Sequence, residues 1–99
     1  MASLLPENIK IPSETVLKHA SKLAISEDKP ILLDYWMDSL DEASVLIGVK
    51  TNDEKLLVRS VDEYTSPINK IYKVCDEYIV MTENSIYIVS TQIPTKRIS

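Results

Sequence analysis

Apolar and polar residues recur with two different periods along this 99-residue chain, and the period changes near Pro30. Before Pro30, five apolar residues have the spacing that gathers side chains on one side of a helix. They are Val16, Leu17, Ala20, Leu23 and Ala24. Pro12 and Ser13 provide a typical helix start. The pattern therefore predicts an amphipathic helix over residues 12–26, preceded by a lead-in arm over residues 1–11.

After Pro30, short runs of alternating apolar and polar residues are separated by polar turns, which is typical of half-buried strands. The predicted strands cover residues 31–37, 44–50, 55–60, 68–74, 78–82 and 85–91. The first run has a competing interpretation, because Leu32, Trp36 and Leu40 also fit a helix. We favour a strand there, since the apolar residues at odd positions form an unbroken set. Residues 92–99 are predicted to be a loose tail.

These elements predict an α+β fold in a single domain, 1–99, because a chain of this length supports one core. The N-terminal helix is expected to pack on an antiparallel meander of five to six short strands covering residues 31–91. The meander either stays open or rolls into a small SH3-like barrel. Gly48, the only glycine, falls inside a strand and predicts a bulge, a bend or a close backbone approach.

Charge and hydropathy exclude several classes of function. Fifteen acidic against eleven basic residues give a net charge of −4, which disfavours binding to double-stranded nucleic acid. No run of about 18 apolar residues is present, so we expect no membrane association. The N-terminus does not resemble an export signal, and the single cysteine fits a reducing compartment. The expected location is the cytoplasm.

Side chains capable of covalent chemistry are scarce, because the chain has one histidine and one cysteine. Cys75 precedes Asp76 and Glu77, whose negative charges disfavour a reactive thiolate. His19 lies on the flank of the predicted helix, with no nucleophile and orienting carboxylate visible beside it. We therefore predict that the protein is not an enzyme and holds neither a cofactor nor a metal.

One candidate interaction patch emerges from the predicted strands. It comprises Asp34, Trp36, Asp38, Arg59, Lys70, Tyr72 and Tyr87. Asp34, Trp36 and Asp38 would share one face of the first strand, an aromatic ring between two carboxylates that suits a basic peptide or a cation. The other four combine basic and aromatic residues, as in sheets that hold nucleotides or single strands. A solvated strand face and ordinary cross-strand pairing explain the same residues without a ligand.

Two short segments resemble a known group of proteins. Residues 63–68, Glu-Tyr-Thr-Ser-Pro-Ile, followed by residues 82–87, Thr-Glu-Asn-Ser-Ile-Tyr, resemble a strand-turn-strand ending of small uncharacterised proteins of phages and large DNA viruses. The resemblance covers the last third to half of the chain. It implies a small SH3-like or meander barrel and a viral accessory or structural protein, located in the host cytoplasm or the virion. It implies no catalytic residue or cofactor.

Two functional hypotheses follow. The first is a non-enzymatic interaction module that binds another protein or forms a homo-oligomer, through strands such as residues 85–91 whose edges are free to pair. The alternative is a viral protein that sequesters a small ligand or nucleotide, using Arg59, Lys70, Tyr72 and Tyr87.

Overall fold

A computed structural model describes residues 11–41 and 44–98. The predicted arm, residues 1–11, lies outside the described residues except for Ile11. The main helix, α1, spans Glu14–Glu27, and the side chain of Ser13 caps it by accepting from the Val16 amide at 3.2 Å. Asp28 ends the helix in the left-handed conformation, with φ of 53°. The helix predicted over 12–26 is thus present.

The other described elements follow α1 in chain order. They are β1 (Ile31–Leu32), α2 (Trp36–Ser39), β2 (Leu46–Val49), β3 (Lys55–Val58), β4 (Ile68–Val74), β5 (Glu77–Thr82), β6 (Ile86–Ser90) and β7 (Thr95–Arg97). The predicted α+β class is confirmed. The five later strand predictions each coincide with an observed strand, β2 to β6. The observed β2, β3 and β6 are shorter than predicted, β4 has the predicted bounds, and β5 begins one residue earlier.

The prediction of one antiparallel meander is wrong. The strands form two mixed sheets, one with the order β1-β6-β5-β4 and the other with the order β3-β2-β7. Two of the pairs, β1 with β6 and β2 with β7, are parallel. The sheets do not close into a barrel. Short turns produce the antiparallel hairpins, whereas the parallel pairs join segments distant in sequence that local patterns do not reveal.

The two sheets and the helix stack in three layers with a core on each side of the four-stranded sheet. The helix-side core contains Val16 and Ala20 of α1, packed against Ile79 and Ile88 of the sheet. The inter-sheet core lies between the two sheets; it includes Ile47, Leu57, Val80 and Val89. Because neighbours along β5 point to opposite faces, Ile79 and Val80 contribute to different cores.

The segment 31–37 is the clearest departure from the predicted strands. Its strand ends after Leu32, and α2 begins at Trp36, so the helical alternative was right for that part. Ser39, at the end of α2, is fully buried, and its hydroxyl accepts from the Ser90 amide at 2.9 Å. A helical turn therefore covers the end of β6, where a longer β1 would otherwise have paired. This tertiary contact overrides the local alternation.

The predicted loose tail is also wrong, because Thr95–Arg97 forms β7 beside β2. The Ile47 amide donates to Pro94 and the Ile98 amide donates to Val49, at 2.8 and 3.0 Å. Gly48 makes this packing possible, since a Cβ atom there would lie 2.7 Å from Cδ1 of Ile98. The close approach at Gly48 is thus made by the Ile98 side chain and not, as the sequence suggested, by backbone.

Candidate interaction surfaces

The seven residues of the predicted patch do not form one surface. Tyr72 packs against the helix-side core, whereas Tyr87 packs against the inter-sheet core. Lys70 is two residues before Tyr72 on the same face of β4, so the four-stranded sheet separates this pair from Tyr87. Arg59 interacts with Asp38, and its guanidinium lies over Tyr35, a member of the inter-sheet core. A ligand site built from all four of Arg59, Lys70, Tyr72 and Tyr87 is therefore not present.

The predicted aromatic ring between two carboxylates is not formed either. Trp36 is 4% exposed and belongs to the helix-side core. Asp34 is exposed in the turn before α2, and Asp38 is partly buried within α2. The prediction fails because these residues do not continue the strand, so their side chains do not share a strand face.

Arg59 is the centre of a charged and aromatic cluster, which we call the arginine cluster. Its Nε donates to Asp38 Oδ2 at 2.7 Å, and its Nη1 donates to Glu63 Oε2 at 3.2 Å. Its Cζ lies 5.1 Å from the centre of the Tyr35 ring, which in turn makes an edge-to-face contact with Tyr87 at 5.4 Å. The cluster links β3, α2 and β6.

The environment of the arginine cluster fixes its protonation at neutral pH. Burial raises the pKa of Tyr35 above its ordinary value, and the neighbouring Tyr87 adds to the effect. Burial likewise raises the pKa of Tyr87. The hydrogen bond to Asp38 raises the pKa of Arg59. Both phenols therefore keep their protons, and the charged guanidinium is compensated by carboxylates, which is the arrangement of a structural contact.

A second predicted pair, Lys70 and Tyr72, lies beside a groove between α1 and β4. The groove has a volume of about 560 Å³ and is lined by His19, Lys22 and Leu23 of α1 together with residues 71–74. We call it the β4 groove. Residues on both faces of β4 line it, so the groove wraps around the edge of the strand. The sequence placed Lys70 and Tyr72 in a patch but did not place Lys22 and His19 beside them, because only the packing of α1 brings these two residues to β4.

The outer edge of β4 has no backbone partner among the described residues. The strand β5 lies between β6 and β4, and its backbone groups point alternately to one and the other. The Thr82 amide donates to the Ser85 carbonyl at 2.9 Å, so the even-numbered residues of β5 bond to β6. The odd-numbered residues of β5 therefore bond to β4. The partners of those odd-numbered residues are the even-numbered residues of β4. The amides and carbonyls of Ile71 and Lys73 therefore point to the open edge.

The outer backbone groups of β6 and β3 are bonded to nearby groups. Along β6, the Ile86 amide donates to Pro30 and the Ser90 amide donates to the Ser39 hydroxyl. Along β3, the amides of Leu57 and Arg59 donate to Thr65 Oγ1 and to the Glu63 carbonyl. The prediction that residues 85–91 offer a free edge is thus wrong, because β1 and α2 cover it. The open edge of β4, a strand of seven residues, is longer than the three-residue β7.

The three-stranded sheet carries an apolar surface on the side away from the inter-sheet core. A groove of about 400 Å³ there is lined mainly by Leu56, Val58, Val61, Tyr64 and Ile98. We call this surface the outer face. Val61 is 91% exposed and Tyr64 is 59% exposed. Exposed apolar surface of this kind is typical of contact sites between proteins.

His19 and Cys75 lie at separate places in the fold. His19 is exposed on α1 at the β4 groove, and Cys75 is exposed in the turn between β4 and β5, where its φ is 55°. Within residues 11–41 and 44–98, no group of three or more His, Cys, Asp and Glu side chains is placed to hold a metal ion. In the same residues, no helix is both long and apolar enough to cross a membrane.

Comparisons with protein-family models, with curated proteins and with solved structures found no match to this chain. The resemblance of residues 63–68 and 82–87 to small viral proteins therefore stays a prediction from sequence.

Proposed function

We propose that this chain is a non-enzymatic interaction module that binds another protein by adding an extended segment of that protein to the open edge of β4. The single observation that carries the proposal is the edge itself. In this seven-residue strand, the backbone amides and carbonyls of Ile71 and Lys73 have no partner among the described residues, and they lie beside a groove large enough for side chains. Strand addition uses both features, since the edge supplies hydrogen bonds and adjacent pockets supply specificity.

The lysines of β4 favour a different protein over a second copy as the partner. Lys70 and Lys73 are exposed on this strand. In a symmetric pair of β4 strands, these like charges would be brought close together, which is unfavourable. A partner with other side chains avoids this repulsion while using the same backbone groups.

A selection from a displayed library of random peptides, with the full chain as bait, tests the proposal. We expect the selected peptides to bind wild-type protein and to lose at least about tenfold in affinity for Lys73→Pro, because proline removes an amide that points to the open edge. The matched control is Lys55→Pro on β3. The amides of β3 alternate in direction, and the Leu57 amide points away from β2, so the Lys55 amide also points away from β2. This proline therefore removes an outward-facing amide from a different strand. Equal binding to wild type and Lys73→Pro would contradict strand addition, as would failure to select any peptide.

Self-association is a second candidate function, and the outer face is the observation that favours it. The matched substitutions are Val61→Asp on the outer face and Ile25→Asp on α1, because these side chains are 91% and 84% exposed. If the outer face joins two copies, light scattering will show a mass that rises with concentration for wild type and for Ile25→Asp but not for Val61→Asp. A constant monomer mass for all three proteins would exclude this candidate and leave the β4 proposal unaffected.

A further inference from the structure

Resting on the proposed function, we infer that the partner segment is acidic: an extended peptide rich in Glu and Asp, with apolar residues between them, is the ligand that fits the edge of β4. The charges around the edge of β4 and the apolar residues that line the β4 groove point to this partner.

The charged side chains that line the β4 groove are basic or imidazole groups. Lys22 and His19 lie on the α1 side, and Lys73 lies on the β4 side; no carboxylate is among the described lining residues. Lys70 adds a fourth such group on the helix side of β4. The chain as a whole has a net charge of −4, so this concentration of positive charge runs against the average of the protein.

These lysines are available to a ligand. No ion pair or hydrogen bond joins the side chains of Lys22, Lys70 or Lys73 to a described residue, whereas Lys18 pairs with Glu14 at 3.6 Å on the exposed side of α1. A carboxylate that approaches the groove therefore does not have to displace an existing partner. Complementary charge also speeds encounter and excludes basic competitors.

The geometry of the edge allows an alternating peptide to bind in either of two registers. Lys70 faces the helix side of β4, and Lys73, three residues further along the strand, faces the opposite side. Carboxylates on either face of an added strand would thus meet a lysine. Apolar residues that point toward α1 would meet Leu23 and Tyr72, which are partly buried and pack against the helix-side core.

Fluorescence anisotropy with three synthetic peptides tests the inference. Each peptide has seven residues, the length of β4, with valine alternating with glutamate, glutamine or lysine. We expect the full chain to bind the glutamate peptide at least about tenfold more tightly than the glutamine peptide, and not to bind the lysine peptide. The preference should weaken between about 0.15 M and about 1 M salt, because salt screens exposed charges.

Charge reversal provides the control. The double substitution Lys70→Glu and Lys73→Glu should reverse the preference, so that the lysine peptide binds and the glutamate peptide does not. Lys55→Glu with Lys96→Glu makes the same change of net charge on exposed residues of the three-stranded sheet and should leave the preference unchanged.

The outcomes separate this inference from the proposed function. Equal affinity for the glutamate and glutamine peptides, with Lys73→Pro still disrupting binding, would overturn the acidic partner and leave strand addition standing. If both double variants lose the preference for the glutamate peptide to the same extent, the acidic partner is also overturned, because net charge alone would then explain the preference.

Discussion

The substitution Ser39→Ala tests how the end of β6 is covered. The Ser39 hydroxyl is fully buried, donates to the Trp36 carbonyl at 2.6 Å and accepts from the Ser90 amide at 2.9 Å. Alanine keeps the backbone and removes both hydrogen bonds. The Ser90 amide is then left without a partner in a buried position, because Ser90 is only 6% exposed.

The expected loss follows from the cost of an unsatisfied buried donor, about 1–3 kcal/mol. We expect the free energy of unfolding to fall by about 2 kcal/mol. For a domain of this size, that corresponds to a melting temperature lower by roughly 8–16 °C. The backbone amide of Ser90 should also exchange faster with solvent, since its acceptor is gone.

Urea denaturation followed by circular dichroism measures the change, and Ser21→Ala is the matched control. The Ser21 hydroxyl also donates to a backbone carbonyl, that of Leu17 at 2.8 Å, but it is exposed on α1. Its replacement should alter the free energy of unfolding by less than about 0.5 kcal/mol. A loss below about 0.5 kcal/mol for Ser39→Ala would refute the reasoning, because water or a neighbouring group would then satisfy the Ser90 amide.

Two other substitutions and one double-mutant cycle have defined expected effects. Burial raises the pKa of Tyr35 above 10.0, so its contribution to stability is present below about pH 10 and lost as the pH rises through the folded-state pKa. Tyr35→Phe should therefore lose less free energy of unfolding than wild type between about pH 9 and about pH 11, and an equal loss would contradict this. Thr82→Val should cost about 1–2 kcal/mol in urea denaturation, because the buried Thr82 hydroxyl bonds to both the amide and the carbonyl of Ser85; a neutral result would contradict that role. A double-mutant cycle on Arg59 and Asp38, which are 32% and 42% exposed, should give a coupling of about 0.2–1 kcal/mol, and a coupling well above this range would show the pair to be better shielded from water than its exposure indicates.

The parts of the fold that the sequence predicted are those determined by local pattern. The spacing of Val16 and Ala20 and the capping hydroxyl of Ser13 define α1 within a few residues. The strands β4, β5 and β6 are joined by two-residue turns, so their antiparallel pairing follows from the chain order.

The parts that the sequence did not predict depend on contacts between distant residues. Ser39 and Ser90 are 51 positions apart, and their hydrogen bond accompanies the replacement of a longer β1 by α2. Likewise, β7 pairs with the parallel strand β2, in which Gly48 leaves space for the Ile98 side chain. Neither pairing leaves a signal in the alternation of the segment itself.

The sequence alone was sufficient to place Tyr72 and Tyr87 of the candidate patch on opposite faces of the sheet. Two-residue turns fix which residues face each other, so Tyr72 opposes Ile79, which in turn opposes Ile88. Tyr87 is the neighbour of Ile88 and must point to the opposite face. In contrast, the approach of Lys22 to β4 depends on how α1 lies across the sheet, and the helical spacing does not determine this.

Amide hydrogen exchange of β4, measured by NMR with and without a selected peptide, tests the central claim most directly. If the peptide adds to the open edge, the amides of Ile71 and Lys73 will become protected, while those of Tyr72 and Val74, already bonded to β5, will change little. Saturating peptide that leaves the exchange of Ile71 and Lys73 unchanged would show that the edge of β4 is not the binding site.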